Sequence, residues 1–111
     1  MSEVLNGRGF CDISTKELQI MLQQHEMCLV DVRTAVEVAN GKISQGISRP
    51  LHLLPICLQE MDKNATTVFY CQVGGRSAQA ASFAAANGFT SVYNLQGGIA
   101  AWKQAGLPIS S

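Results

Sequence analysis

The run Thr66-Thr67-Val68-Phe69-Tyr70-Cys71-Gln72-Val73-Gly74-Gly75-Arg76-Ser77 decides the fold. A β-prone apolar stretch, about Thr67 to Tyr70, stops at a cysteine, and a short glycine-bearing loop follows. Arg76 then opens an alanine-rich helix that runs to about Asn87. A strand, a short loop and a helix N-terminus together form an anion cradle, because unpaired N–H groups and the positive helix end converge there. Gly74 and Gly75 permit the torsions that turn successive N–H groups inward as a nest. A cysteine at the mouth of such a nest is expected as thiolate, since helix N-termini and nearby arginine lower thiol pKa from about 8.5 to roughly 3.5–7.5. A drop of about two units corresponds to about 2.7 kcal/mol and raises the thiolate fraction at pH 7 from about 3% to about 75%. The stretch therefore reads as a nucleophilic cysteine built to meet an anionic substrate.

Strand and helix signals alternate on both sides of this stretch. Residues 1–8 read as a loose leader with an Asn6-Gly7 turn, and residues 9–111 as one domain. Gly9 to Ile13 forms a short first strand. Ser14-Thr15-Lys16-Glu17 is a capping box opening an amphipathic helix over 15–25, ended by His25. Cys28 to Val32 is a second strand closed by Asp31 and Arg33, with a short helix from Thr34 to about Asn40. Pro50 biases Arg49 towards an extended conformation, and Pro55 suits the first turn of a helix buried through Leu54, Leu58 and Met61. After the central helix, Gly88 is a stop and Ser91 to Asn94 a fifth strand. Ile99 to Gln104 is a last helix carrying a core Trp102. This alternation predicts an α/β fold, a mainly parallel five-stranded sheet with helices on both faces and right-handed crossovers. In such sheets the site lies beyond the carboxyl ends of the strands, so Cys71, Asp31–Arg33 and Gly97-Gly98 are expected on one rim.

Composition narrows the function classes. A chain of 111 residues, 47% hydrophobic and 14% charged, is long enough for a single core without staples. Eight basic against eight acidic side chains give no net charge, so nothing favours nucleic acid or a membrane surface as partner. No apolar run approaches the roughly 20 residues of a membrane span, and the first residues lack a signal-peptide pattern; a cytoplasmic protein is the expectation. The cysteines at 11, 28, 57 and 71 contain no C-x-x-C pair, so neither a metal site nor a cofactor is expected. Cys28 and Cys57 have apolar neighbours, as buried inert thiols do.

Several segments in order resemble the rhodanese sulfurtransferase family in its single-domain form. They are Leu29-Val30-Asp31-Val32-Arg33, Glu37, Gly41-Lys42-Ile43, Cys71-x-x-Gly74-x-Arg76-Ser77, Gly88-Phe89, Val92-Tyr93-Asn94-Leu95 and Gly97-Gly98-Ile99-Ala100-Ala101-Trp102. The resemblance implies that Cys71 is a nucleophile. It takes sulfane sulfur from a small anionic donor such as thiosulfate, carries it as a persulfide, and passes it to cyanide, a thiol or a small thioredoxin-like protein. It further implies that the backbone amides of Gln72, Val73, Gly74, Gly75 and Ser77 hold the persulfide, and that Arg76 attracts the donor's anionic end or anchors the loop. Asp31, Arg33 and Glu37 take structural places near the site, with Glu37 one helical turn from Arg33 and able to pair with it. Arg49 adds positive potential near the rim.

Departures bear on substrate. Lys42 stands where many relatives have His, and Val38 where an aromatic residue is common; both read as scaffold differences. Gln72 and Val73 are uncharged, which leaves Arg76 as the loop's only charge. Relatives that favour thiosulfate often carry extra basic residues in this loop, so the resemblance implies that thiosulfate is turned over poorly here, with polysulfide or a protein persulfide as the expected donor. Two other functions use the same features. A cysteine phosphatase or arsenate reductase shares the cradle, but its loop places five residues between Cys and Arg, against the four here. A non-catalytic or redox-sensing interaction module would keep the fold and transfer nothing.

Overall fold

The computed structural model describes residues 9–24 and 26–110. The expected leader (1–8) and the helix-ending role of His25 lie outside the described residues. The first strand, β1 (Cys11–Ile13), leads into α1 (Thr15–Gln24) through the capping box. The Ser14 hydroxyl accepts from the Glu17 amide at 3.1 Å, while the Glu17 carboxylate accepts from the Ser14 amide at 2.9 Å. Next come β2 (Cys28–Asp31) and α2 (Ala35–Ala39), the latter capped reciprocally by Thr34 and Glu37. A two-residue β3 (Ile47–Ser48) is followed by α3 (Leu54–Cys57), which a 3₁₀ turn flanks on each side. The central strand β4 (Thr67–Tyr70) has the predicted bounds. The chain ends with α4 (Gly75–Ala86), β5 (Val92–Leu95) and α5 (Gly98–Gln104).

Among the described residues five strands pair in parallel, in the order β1-β5-β4-β2-β3. The central strand β4 is therefore flanked by β2 and β5, and all three carboxyl ends point to one edge. Alternation along β4 divides the core in two. Phe69 and Cys71 face Val30, Val32 and the Ala80, Ala81 and Ala84 face of α4. Val68 and Tyr70 face Leu29, Tyr93, Leu95, Leu18, Ile99 and Trp102. Alanines on α4 let its backbone lie close to the sheet, and Trp102 is core as expected, donating its indole N–H to the Pro108 carbonyl.

Three local expectations are corrected. Helix α4 starts at Gly75, one residue before Arg76, because Gly74 supplies the cap. Gly75 itself has an ordinary helical φ and open space around its Cα, so it does not share Gly74's torsional role. Cys28 and Cys57 are only half-buried; burial pushes the Cys28 thiol up, against the pull of the Arg49 charge.

Beyond β2, a buried ion pair fixes the rim. Arg33 grips Asp31 with Nε at 3.0 Å and Nη2 at 2.8 Å, and its Nη2 also donates to the Gly41 carbonyl at 2.7 Å. Tyr70 lies beside this pair, its ring centre 5.8 Å from the Arg33 guanidinium, and its hydroxyl accepts from the Ile43 amide at 3.1 Å. A buried pair of this kind is tolerable only because its remaining donors and acceptors are satisfied. Lys42 donates to the Ser44 and Gly46 carbonyls, a scaffold contact that pins the same turn.

Candidate active site

Cys71 follows the last residue of β4, and the chain then turns through Gln72 to Gly74 into α4. Two features shape that turn. Gly74 adopts φ +109°, which L side chains rarely reach and which turns the chain into α4, and its N–H lies 3.1 Å from the Cys71 sulfur. On the outside, the N-terminus of α5 takes up the loop's carbonyls: the Ile99 amide donates to Cys71 O at 2.9 Å, and the Ala100 amide to Gln72 O at 3.0 Å. With the carbonyls turned out to α5, the amides turn in. This contact needs Gly98, where a Cβ would sit 2.5 Å from both the Cys71 and Gln72 carbonyl oxygens.

The sulfur lies at the centre of the inward-facing donors. Besides Gly74 N–H, it faces the Ser77 amide at 3.4 Å and the Ser77 hydroxyl at 3.3 Å. Burial pushes the thiol up, but the hydrogen bonds from the Ser77 hydroxyl and the amides of Ser77, Gly74 and Val73 outweigh it, and the pKa is lowered. Gly75 and Arg76 occupy the first helical turn, where amides have no intrahelical acceptor. The loop thus has the donor geometry to hold an anion on or beside the sulfur. Contrary to the expected position at the mouth of the cradle, Cys71 is only 1% exposed. Its sulfur forms the floor of the loop, and a reactant must enter the ring of amides to reach it.

The charged residues are arranged differently from expectation. Glu37 does not pair with Arg33 through its carboxylate; that guanidinium is committed to Asp31 and reaches only the Glu37 carbonyl, at 3.4 Å. The Glu37 carboxylate instead takes Arg76 in a bidentate pair, at 2.7 and 2.8 Å. The Arg76 guanidinium holds the Glu37 carboxyl at about 2 against the opposing effect of burial, helped by the Thr34 amide and hydroxyl. Arg76 is therefore tied to α2, an anchor between loop and neighbouring helix. Arg49 is exposed, folds its guanidinium onto the Ser48 carbonyl at 2.8 Å, and makes its charge felt at Cys28. The structure brings Cys71, Gln72, Val73, Gly74, Gly75, Arg76, Ser77 and Glu37 together; Asp31 and Arg33 stand behind them as support.

Sequence reasoning missed three participants: Gly98 as the point of close approach, Asn94 and Asp12. Asn94 and Asp12 are register partners on β5 and β1. The Asn94 side chain meets the Ser77 hydroxyl at 2.5 Å and donates to Asp12 at 3.0 Å. A polar Asn in the otherwise apolar run Val92-Tyr93-Asn94-Leu95 was the available signal. Among the described residues no group of three or more His, Cys, Asp or Glu side chains is placed to hold a metal ion, and no helix is long and apolar enough to cross a membrane.

A rhodanese-like domain model matches residues 14–105, and the chain belongs to that family. It is similar to a sulfurtransferase of Allochromatium vinosum, 42% identical over 91 residues, covering 82% of this chain and 85% of the relative. Its fold matches a rhodanese-like domain protein from Staphylococcus aureus with a TM-score of 0.80 at 35% identity, covering 92% of this chain and all of the other. A Rhodopseudomonas palustris protein described as a possible tyrosine phosphatase matches with a TM-score of 0.83 at 25% identity, over 99% of each chain.

Proposed function

We propose that the chain is a sulfurtransferase that works through a persulfide on Cys71. The observation that carries this reading is the convergence of the Gly74 and Ser77 amides on the sulfur at 3.1 and 3.4 Å. In the first step the Cys71 thiolate attacks the outer sulfur of a donor. A bond forms from Sγ to that sulfur, the donor's own bond to it breaks, and the donor remnant leaves with the electron pair as sulfite or a thiolate. The terminal sulfur then carries the negative charge, within reach of the first-turn amides of α4. In the second step an acceptor thiolate attacks the terminal sulfur, and Cys71 departs as thiolate, ready for another cycle.

Arg76 supports a refinement of donor class. Its pairing with Glu37 leaves the loop without an uncommitted cation, and Gln72 and Val73 bring none. A persulfide or polysulfide carrying one negative charge then loads Cys71 faster than doubly charged thiosulfate. The surroundings of the loop favour an acceptor with an apolar face, such as a small thioredoxin-like protein. Val73 is 69% exposed at the loop's tip, and from Gly75 a shallow groove of about 590 Å³ runs along α4 past Ala78 and Phe83.

Phosphatase chemistry fits less well. Four residues separate Cys71 from Arg76, a tight ring for a phosphoryl group, and the arginine that would clamp equatorial oxygens is held by Glu37. Intact-mass spectrometry tests the proposal. Incubation with a persulfide donor should add one sulfur, about 32 Da, to the wild-type chain and nothing to Cys71→Ser. Uptake by Cys71→Ser would assign the carrier role to another cysteine, and turnover of a chromogenic phosphate ester instead of sulfur would replace the reading altogether.

A further inference from the structure

Ser77 is fully buried, and its hydroxyl has one proton but two neighbours that call for it. Cys71 Sγ lies at 3.3 Å and Asn94 Oδ1 at 2.5 Å. The amide of Asn94, itself 4% exposed, cannot turn to relieve this, because its Nδ2 donates to the Asp12 carboxylate at 3.0 Å. A carboxylate only accepts, so it fixes the amide with Oδ1 towards Ser77; Oδ1 also only accepts, so it draws the hydroxyl proton. When Cys71 is a thiol, one consistent direction runs through the chain: S–H to Ser77, Ser77 to Asn94, Asn94 to Asp12. When it is a thiolate, the Ser77 proton must swing to sulfur and leave Asn94 Oδ1 facing an oxygen lone pair.

We propose that Asn94, fixed by Asp12, is a positioning residue that competes with the Cys71 sulfur for the single Ser77 proton and so sets how firmly the thiolate is held. The sulfur is left less stabilised than its ring of donors would allow, and hence more nucleophilic. As the Sγ–S bond forms, the charge moves to the outer sulfur and Sγ no longer needs the proton. Ser77 then rotates back to Asn94, which favours product without any proton leaving the chain. The inference rests on Cys71 as the nucleophile, and its test reads ionisation rather than sulfur transfer, so the two stand or fall separately.

The other charged groups around the loop are Arg76 on α4 with Glu37 on α2, and Asp31 with Arg33 at the end of β2. None of them touches the Asn94 side chain. The pH dependence of Cys71 alkylation by iodoacetamide, resolved by peptide mass, is measured for Asn94→Leu and Asp12→Asn, each alone and with Ser77→Ala. Without its competitor the hydroxyl stays on sulfur, so Asn94→Leu should move the midpoint to lower pH by about half to one unit. Asp12→Asn is milder and lies on an exposed side chain. It frees the Asn94 amide to turn and should move the midpoint the same way. Ser77→Ala alone should move it to higher pH, and on that background neither substitution should have a further effect. A shift to higher pH in Asn94→Leu and Asp12→Asn, as a merely loosened loop would give, overturns the proposal. So does no shift, or an acid shift that persists without the Ser77 hydroxyl.

Discussion

Replacing Glu37 with Gln removes one charge from the bidentate pair with Arg76 while keeping a side-chain oxygen for the Thr34 cap. In the folded chain the Glu37 carboxyl falls from 4.5 to about 2, which unscreened corresponds to about 3.4 kcal/mol. The two side chains are 30% and 38% exposed, so solvent screening reduces the expected contribution to about 1–2 kcal/mol. For a domain of this size that is a loss of about 5–10 °C in Tm at pH 7. A carboxylate whose folded pKa is depressed stabilises the fold above its unfolded pKa and loses that effect as pH falls through its folded one. The gap between wild type and Glu37→Gln should therefore be full at pH 7, narrow below about 4.5 and close near 2. Urea titrations followed by circular dichroism at pH 7, 5, 4 and 3 measure it. The same variant frees Arg76 to meet a dianion, so thiosulfate loading of Cys71 should rise about three- to tenfold relative to persulfide loading, worth about 0.7–1.4 kcal/mol. A pH-independent stability gap would refute the electrostatic account. An equal fall in loading by both donors would show that the paired Arg76 is needed for loop shape alone.

Other perturbations probe the supports of the loop. Gly98→Ala should cost about 2–4 kcal/mol in denaturant titration and sharply reduce sulfur loading, because its Cβ would press on the Cys71 and Gln72 carbonyls; wild-type loading would remove α5 from the account. Tyr70→Phe strands the buried Ile43 amide, an expected loss of about 1–3 kcal/mol with Cys71 alkylation unchanged. In the wild-type chain, iodoacetamide should modify Cys71 with a midpoint below that of an ordinary thiol and Cys28 with one above it. The reverse order would contradict the hydrogen-bonded shell around Cys71.

The parts legible in the sequence are those fixed by neighbours along the chain. The Ser14–Glu17 box, the strand Thr67–Tyr70 and the stop at Gly88 each depend on a few consecutive residues. The placement of Cys71 between strand and helix N-terminus was legible for the same reason. The partner of Glu37 was not. Helical spacing pointed to Arg33, four residues away, whereas the true partner is 39 residues on and reached only through the sheet. The burial of Cys71 was hidden likewise, since it depends on α5 packing against the loop from 27 positions later in the chain. Asn94 read as one residue of a strand until the β1–β5 register set it beside Asp12 and under Ser77.

The bonds from Ile99 and Ala100 give the loop a second wall drawn from a distant part of the chain. The donors that meet the Cys71 sulfur come from the loop and the first turn of α4, whereas the partners of the Cys71 and Gln72 carbonyls come from the segment beyond Gly97. A change confined to α5 can therefore disturb the loop without touching any atom that contacts the sulfur.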